Sequence, residues 1–182
     1  PGAKLNIVAS WIVGDPDRIA ILADRDGRLE RVALGELDRL SRRVGHGFQD
    51  AGLLPGDRVA VILPMTVEAV AAYLGIIQAG GVVVSIADSF AAAEIATRLR
   101  IVPVKLIVTQ DCLPRPERLL PLYAKVIEAQ APRTVVIPRK KVARWRDDGG
   151  FPPLRGGDLL WEDFLGRDDP FSPVSRDSDD PI

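Results

Sequence analysis

Short, mostly apolar runs alternate with segments of helical periodicity along residues 58–137, and this alternation constrains the fold of the chain most strongly. The apolar runs, which predict strands, are residues 58–63, 82–86, 104–109 and 134–137. Three segments between these runs predict helices, and they are residues 67–79, 91–101 and 119–129. Strands that are apolar on both faces belong in parallel sheets covered on both sides. The sequence therefore predicts an α/β fold with a doubly wound, mostly parallel sheet and helices on both faces.

A β-hairpin is expected ahead of this sheet, because residues 18–34 contain two alternating apolar runs around an Asp-Arg-Asp-Gly turn. An amphipathic helix follows and ends near Gly52, a residue that suits the left-handed position after a helix. The apolar face of this helix is formed by Leu37, Leu40, Val44 and Phe48. Thr66 and Ser89 stand where the N-caps of the next two helices are expected.

The balance of charges argues against two classes of partner. The chain has 24 lysine and arginine residues against 25 aspartate and glutamate residues, which gives a net charge of −1. No overall field therefore attracts it to nucleic acid or to an anionic membrane. The most apolar window, residues 69–87, is divided by Gly80 and Gly81 and predicts a helix followed by a buried strand. We expect neither a nucleic-acid partner nor a membrane span.

Composition also suggests a compartment and three regions. The single cysteine, Cys112, excludes an internal disulfide framework and fits a reducing environment, so a cytoplasmic location is expected.

Residues 1–17 are predicted to be an N-terminal extension, and residues 18–138 an α/β subdomain. Residues 139–182 are predicted to be an irregular excursion with a short helix at residues 159–166 and a linker, because they are rich in charge, glycine and proline.

The inventory of reactive residues predicts no catalytic group and no metal site. His46 is the only histidine and falls off the apolar face of its helix, so we expect it at the surface. Cys112 follows a predicted strand, and an inert thiol is the favoured interpretation. No P-loop motif occurs, and the glycines that flank His46 have no strand before them. The basic run at residues 139–146 is interpreted as a solvated loop rather than as a phosphate or RNA site.

Two arginines after the third predicted strand are the strongest candidate site. Arg115 and Arg118 follow Asp111 at the carboxyl end of that strand, the edge at which open α/β sheets bind ligands. Guanidinium groups bind phosphates bidentately and stack on purines, so this pair could clamp a diphosphate. The alternative is an exposed loop in which Glu117 pairs locally. Both interpretations stay open on the residues alone.

Four stretches follow one another in a fixed order, namely PGDRVAVILPM, AGG, SFAAAEIATRL and TQD. In this order they resemble the N-terminal subdomain of the adenylate-forming acyl-CoA synthetases, from residue 18 to residue 123 and weakly to the end. In that family the strand and helix around LPMTVEAV are scaffold, and the phosphate-binding Ser/Thr/Gly-rich loop lies downstream of a stretch like SPVSRDSDDPI. The resemblance therefore implies an N-terminal fragment of a longer enzyme that is inactive alone.

The resemblance implies the reaction of the full-length ligase. A carboxylate, ATP and CoA give acyl-CoA, AMP and pyrophosphate through an acyl-adenylate, with Mg²⁺ positioning the phosphates. This reaction places the enzyme in fatty acid metabolism. We expect the fragment itself to hold none of these cofactors tightly. A subdomain cut from its neighbours also exposes apolar surface, which can drive self-association.

The resemblance also implies part of a CoA site. In acetyl-CoA synthetase-like members, a loop with two arginines contacts the phosphates and adenine of CoA, and an aromatic residue at a helix start assists. Arg115, Arg118 and Phe90 match those positions, with Pro116 and Glu117 replacing small, glycine-like residues. The alternative function is a stand-alone, flavodoxin-like binding or interaction module without catalysis. A Ser/Thr/Gly-rich loop encoded downstream in the gene would support the acyl-CoA synthetase, and a stop codon would support the stand-alone module.

Overall fold

The computed structural model describes residues 2–25, 27–115, 118–138 and 152–182. Its strands are β1 (Lys4–Leu5), β2 (Ile19–Arg25), β3 (Arg28–Ala33), β4 (Arg58–Ile62), β5 (Val82–Ser85), β6 (Leu106–Gln110), β7 (Leu113–Arg115), β8 (Arg118–Leu120), β9 (Thr134–Ile137), β10 (Leu159–Leu160) and β11 (Arg176–Asp177). Its helices are α1 (Ile7–Trp11), α2 (Leu34–Asp50), α3 (Val67–Gln78), α4 (Ala92–Ile101), α5 (Leu122–Glu128) and α6 (Trp161–Phe164). Two compact units are present. The first contains Pro1–Asp57, Met65–Val83 and Leu165–Ile182, and the second contains Arg58–Pro64 and Val84–Phe164.

A parallel five-stranded sheet flanked by helices confirms the predicted α/β class. The strands lie in the order β10-β9-β6-β4-β5. If these strands are renumbered along the chain, the order read from β5 is 2-1-3-4-5, which is the flavodoxin-like order. The order reverses between β4 and β6. In such sheets ligands bind outside the carboxyl ends of the strands near this point, so the segments that follow β4 and β6 are the first places to look for a site.

Side chains on both faces of the central strands are buried, as the sequence predicts. Ala60 of β4 and Ile107 of β6 belong to one apolar cluster with Ile95 of α4 and Val126 of α5. The side chains of the other face are also buried, and they are Val59, Val61, Leu106 and Val108. Continuous apolar sequence in β4 and β6 therefore follows from burial on two sides.

Strand β5 differs from the prediction of a fully buried strand. Its valines, Val82, Val83 and Val84, are only half-buried, and Ser85 is exposed. The physical reason is its position, because β5 is the edge strand next to β4. The apolar window at residues 69–87 therefore contains α3 and β5. Within the four described ranges, no helix is long and apolar enough to cross a membrane.

In the first unit, α2 and α3 pack closely through a glycine. A Cβ atom added to Gly75 of α3 would lie 2.5 Å from Cγ1 of Val44 on α2, so only a glycine permits this approach. Leu37 and Phe48 of α2 are fully buried, which confirms the predicted apolar face. The preceding hairpin is also confirmed, since β2 and β3 pair antiparallel from Ile19 to Ala33.

The predicted helix boundaries of the first unit are confirmed by their caps. Gly52 has a φ of 81°. Its N–H donates to the carbonyl oxygen of Gln49, and the N–H of Leu53 donates to the carbonyl oxygen of Phe48. These two bonds form a Schellman motif, for which a left-handed glycine is the usual residue. At the start of α3, Oγ1 of Thr66 accepts a 3.1 Å hydrogen bond from the N–H of Ala69.

His46 is buried, so the prediction of a surface histidine is wrong. Only 5% of its surface is exposed. The segment at residues 165–171 covers it, with the Phe171 ring edge-on at 4.8 Å and the Asp169 carbonyl oxygen 3.3 Å from Nε2. Asp169 lies 123 residues further along the chain. Helical periodicity reports one buried face and gives no sign that a distant segment covers the other.

Two predicted helices of the second unit begin later than expected. The helix predicted at residues 119–129 starts at Leu122, because Arg118–Leu120 pairs with Leu113–Arg115 as an antiparallel hairpin and Pro121 separates the two elements. The helix predicted at residues 159–166 is reduced to Trp161–Phe164, since Leu159–Leu160 adds to the sheet beside β9.

Candidate functional site

The predicted arginine pair lies on a hairpin at the carboxyl end of β6, the strand beside the reversal of the sheet order. In the register of β7 and β8, Arg115 is directly opposite Arg118. The side chains of both arginines, and Pro116 and Glu117 between them in sequence, lie outside what the structure describes. The backbone therefore brings the two predicted site residues together at the tip of one hairpin.

The base of this hairpin is anchored to the end of the sheet. Asp111 is fully buried, and its carbonyl oxygen accepts a 3.2 Å hydrogen bond from the N–H of Tyr123, just beyond the hairpin. Its carboxylate accepts a 2.6 Å bond from the N–H of Cys112, and Nε2 of Gln110 donates to the Cys112 carbonyl at 2.6 Å. Cys112, the only cysteine of the chain, is fully buried, which agrees with an inert thiol. The start of the hairpin is therefore hydrogen-bonded to the end of β6 and to α5.

Phe90, the third predicted site residue, lies in the loop between β5 and α4 and is held from several sides. Its carbonyl oxygen accepts a 3.1 Å hydrogen bond from Nζ of Lys125, which also donates to the Asp88 carbonyl at 3.3 Å. The Arg98 guanidinium lies over its ring, with Cζ 3.8 Å from the ring centroid. The ring is half-buried against the cluster that contains Ile95. Because Lys125 belongs to α5, the helix that follows the hairpin is also the helix that holds the Phe90 loop.

A buried polar network, which the sequence analysis missed, ties residues 155–158 to α5 and β9. The Tyr123 hydroxyl donates to Oδ2 of Asp158 at 2.6 Å and accepts from the N–H of Arg155 at 2.9 Å. The other oxygen of Asp158 accepts from the N–H of Thr134 at 2.8 Å. The Arg155 guanidinium donates to Asp158 at 2.8 Å and to the carbonyls of Ala131 and Pro132, both at 3.0 Å.

Burial and charge shift the ionisation of this network. Burial raises the pKa of the Tyr123 hydroxyl, and the Asp158 carboxylate raises it further. The hydrogen bond from the N–H of Arg155 lowers this pKa, but burial has the larger effect. The hydrogen bond to Asp158 raises the pKa of Arg155. Each donor nitrogen and the Tyr123 hydroxyl of this network has an acceptor supplied by the chain, which is the arrangement of a structural tie. The only sequence signal was the Arg-Gly-Gly-Asp turn, which indicates a change of direction and no partner.

The described residues offer little for metal binding. Across residues 2–25, 27–115, 118–138 and 152–182, no group of three or more histidine, cysteine, aspartate and glutamate side chains could hold a metal ion. The basic run at residues 139–146 lies outside these ranges. What the described geometry offers is a hairpin with two arginines and an aromatic loop, both anchored to one helix. Cationic and aromatic groups at a sheet edge suit a phosphorylated, purine-containing ligand.

Comparison with known proteins identifies the family. The family model described as "AMP-binding enzyme" matches residues 8–181. Hexanoyl-CoA synthase of Cannabis sativa is 46% identical over 134 residues, which cover 72% of this chain and 18% of the relative. The probable acyl-activating enzyme 18, peroxisomal, of Arabidopsis thaliana is 37% identical over 182 residues, with 94% of this chain and 24% of the relative covered. The chain spans a quarter or less of these curated relatives.

The fold comparison agrees with the sequence comparison. Acetoacetyl-CoA synthetase of Streptomyces lividans superposes with a TM-score of 0.83 at 25% sequence identity. The superposition covers 97% of this chain and 27% of that structure. A family match over nearly the whole chain, an identity of 46% to one relative and a shared fold lead to one conclusion. The chain belongs to the family of AMP-binding enzymes, whose relatives here are acyl-CoA synthetases.

Proposed function

We propose that the chain is the N-terminal part of an ATP-dependent acyl-CoA synthetase and is inactive alone. The reaction of the longer enzyme joins a carboxylate to CoA through an acyl-adenylate, with release of AMP and pyrophosphate. The observation that carries this proposal is the family match over residues 8–181 combined with the small share of each relative that the chain spans. The regions proposed from composition, residues 1–17, 18–138 and 139–182, stay a prediction.

Within that enzyme we assign two roles to this part. The buried parallel sheet and its helices act as scaffold. Arg115, Arg118 and Phe90 contribute to the CoA site, with the arginines contacting phosphates and the aromatic residue supporting the nucleotide. The support for this second role is the register that places Arg115 opposite Arg118, and the anchoring of the Phe90 loop by Lys125. Pro116 and Glu117 between the arginines distinguish this hairpin from the glycine-like loop of the resemblance.

ATP and Mg²⁺ belong to the reaction, but the described residues do not fit a metal site. In the resemblance, the phosphate-binding loop lies downstream of a stretch like residues 172–182, so we assign ATP and Mg²⁺ to polypeptide outside the matched span, and we assign no catalytic residue to this chain. The relative named hexanoyl-CoA synthase supports a fatty carboxylate as the class of substrate. A cytoplasmic location stays a prediction from cysteine usage, and one relative is named peroxisomal. Self-association of the chain also stays a prediction.

The alternative is a flavodoxin-like binding or interaction module without catalysis, and the strand order of the sheet favours that comparison at the level of fold. Incubation with ATP, CoA and a panel of carboxylates separates this chain from a complete enzyme. We expect no release of AMP or pyrophosphate from the chain of 182 residues, and carboxylate-dependent release from a longer polypeptide of the same gene. Turnover by the short chain would refute the proposal that it is incomplete.

A further inference from the structure

The short helix α1 exposes two large apolar side chains on one side. Ile7 and Trp11 stand four residues apart, so they lie on the same side of the helix. Ile7 is 47% exposed and Trp11 is 50% exposed, whereas Val8 on the adjoining side is buried. The packing of α1 within the first unit therefore accounts for Val8 and leaves an apolar side of the helix facing outward.

The position of α1 is fixed by Asn6, the residue that caps it. Oδ1 of Asn6 accepts a 3.1 Å hydrogen bond from the N–H of Val8. Its Nδ2 donates to the carbonyl oxygen of Ile77 at 2.8 Å and to that of Val174 at 2.9 Å. The helix is thus bonded to two other segments of the first unit. A surface held in this way is formed before a partner arrives, so little ordering entropy is lost when it is covered.

A cleft of about 190 Å³ lies beside Ile7 in the same unit. The apolar residues that line it are Leu5, Ile7, Ile77, Pro181 and Ile182. Sites for small-molecule ligands usually measure about 300–1,000 Å³, whereas a cavity of about 150 Å³ holds one benzene-sized group. The cleft therefore suits a single ring or branched aliphatic side chain.

The charged side chains Arg176 and Asp180, which also line the cleft, are bonded to groups of the chain. Nε of Arg176 donates to Oδ2 of Asp180 at 2.8 Å, and its Nη1 donates to the carbonyl oxygen of Gly80 at 2.7 Å. An incoming group would have to replace these bonds in order to pair with either residue. The contact that the cleft offers is therefore mainly apolar.

The end of the described chain lies at this surface. Ile182 lines the cleft together with Leu5 and Ile7. The strand that precedes it, β11, pairs with β1, which places Arg176 opposite Leu5. The match to hexanoyl-CoA synthase covers 18% of that relative, and the match to acyl-activating enzyme 18 covers 24%. In the longer enzyme proposed above, the polypeptide that continues from Ile182 therefore starts beside the exposed side of α1.

We propose that Leu5, Ile7 and Trp11, together with the cleft, form a docking surface for an apolar segment of the same polypeptide that follows Ile182 in the longer enzyme. The inference rests on the proposed function, because it requires that longer enzyme. It assigns residues 5–11 a role in holding the rest of the enzyme.

The test compares the reactivity of a cysteine at Ile7 in the 182-residue chain and in the longer polypeptide of the same gene. Trypsin releases residues 5–18 as one peptide without a native cysteine, so mass spectrometry of this peptide gives the rate of alkylation by N-ethylmaleimide. Ile7→Cys is expected to react about tenfold or more slowly in the longer polypeptide, because the docked segment must open first. Trp11→Cys is expected to show the same protection, and it keeps the test valid if one variant fails to fold.

The matched control is Ala9→Cys, which lies in the same tryptic peptide. Ala9 is an exposed residue of α1, about 200° around the helix from Ile7. Its rate is expected to agree within about twofold between the short and the long polypeptide, because this side of the helix is not part of the docking surface.

The outcomes separate the docking surface from the proposed function. If Ile7→Cys and Trp11→Cys react equally fast in both polypeptides while the longer one releases AMP, the docking surface is overturned and the proposed function stands. Protection in the longer polypeptide that disappears on dilution identifies a second copy as the occupant, which also overturns the inference. If the gene encodes no longer polypeptide, the proposed function is wrong, and the docking surface is wrong with it.

Discussion

The Tyr123 hydroxyl donates a 2.6 Å hydrogen bond to the carboxylate of Asp158, which lies 35 residues further along the chain. Both residues are buried, and the same hydroxyl accepts from the N–H of Arg155. This tie holds residues 155–158 against α5, the helix that follows the arginine hairpin. Its integrity therefore bears on the stability of the second unit and on the support of the candidate site.

Tyr123→Phe is expected to destabilise the chain by about 1–3 kcal/mol, since it leaves the buried carboxylate and the Arg155 N–H each short of one partner. The measurement is the free energy of unfolding from urea denaturation. Tyr73→Phe, a half-buried tyrosine on α3, is the matched control, and we expect it to change that free energy by less than about 0.5 kcal/mol. Equal effects of the two substitutions would contradict a structural role for the Tyr123 hydroxyl.

The same hydroxyl predicts a sensitivity to alkaline pH. Burial raises the pKa of Tyr123 in the folded chain. The stability that this group contributes is therefore complete below the unfolded pKa of about 10 and is lost as the pH rises through the folded pKa. We expect the difference in free energy of unfolding between wild type and Tyr123→Phe to shrink above about pH 10. A difference that stays constant across this range would show that the folded pKa of Tyr123 is not raised.

Gly75→Ala should disrupt the contact between α2 and α3. The added Cβ would lie 2.5 Å from Cγ1 of Val44 and 3.0 Å from the backbone nitrogen of Gly45, so the helices must move apart. Overpacking of this kind destabilises by about 1–3 kcal/mol or more. Gly156→Ala is the control, because its Cβ would meet no atom within 4 Å. Thermal denaturation of both variants checks this, and a wild-type melting temperature for Gly75→Ala would contradict the close packing.

Ala91→Ser is expected to stabilise the chain, because Ala91 is the N-cap of α4 and its side chain offers no acceptor. Glu94 already accepts from the Ala91 N–H at 3.0 Å, so a serine would complete a capping box. The expected gain is about 0.5–2 kcal/mol in the free energy of unfolding. Ser89→Ala provides the contrast. Ser89 is exposed and precedes the cap, so Ser89→Ala should leave the free energy of unfolding unchanged. A lower free energy of unfolding for Ser89→Ala would show that Ser89 caps the helix.

The expected cap at Ser89 shows where reasoning from sequence stops. Ser89 is a better capping residue type than Ala91, and propensity selected it. The structure places the N-cap two residues later, at Ala91, where the Glu94 carboxylate accepts from the Ala91 N–H and forms one of the two hydrogen bonds of a capping box. Thr66 was located correctly because the residue type and the start of the apolar pattern coincide.

Local patterns predicted the strands and helices of the sheet, since periodicity and turn residues are encoded within a few positions of one another. Contacts between distant segments were not predictable in this way. His46 is covered by residues 165–171, and Asp158 satisfies the N–H of Thr134 from 24 residues away. The hairpin at Arg118 was missed because its strand is only three residues long and reads as the first turn of a helix.

For the candidate site, the position after a predicted strand located Arg115 and Arg118, whereas Phe90 was located only through the family resemblance. On the residues alone, the arginine pair stayed balanced between a phosphate clamp and an exposed loop. The structure adds the register of the hairpin and the anchoring of the Phe90 loop by Lys125 and Arg98. Those two cations could not be assigned from sequence, because helical lysines and arginines are most often solvated.

The most direct measurement of the central claim is a titration of the purified chain with CoA, comparing wild type with the double variant Arg115→Ala/Arg118→Ala. The account predicts weak, saturable binding by the wild type and an affinity at least about tenfold lower for the double variant, because charge-assisted bonds to phosphate are lost. The circular dichroism spectra of both proteins should match. Absence of saturable binding by the wild type, or equal affinity of the double variant, would contradict the claim that this part of the enzyme contributes to the CoA site.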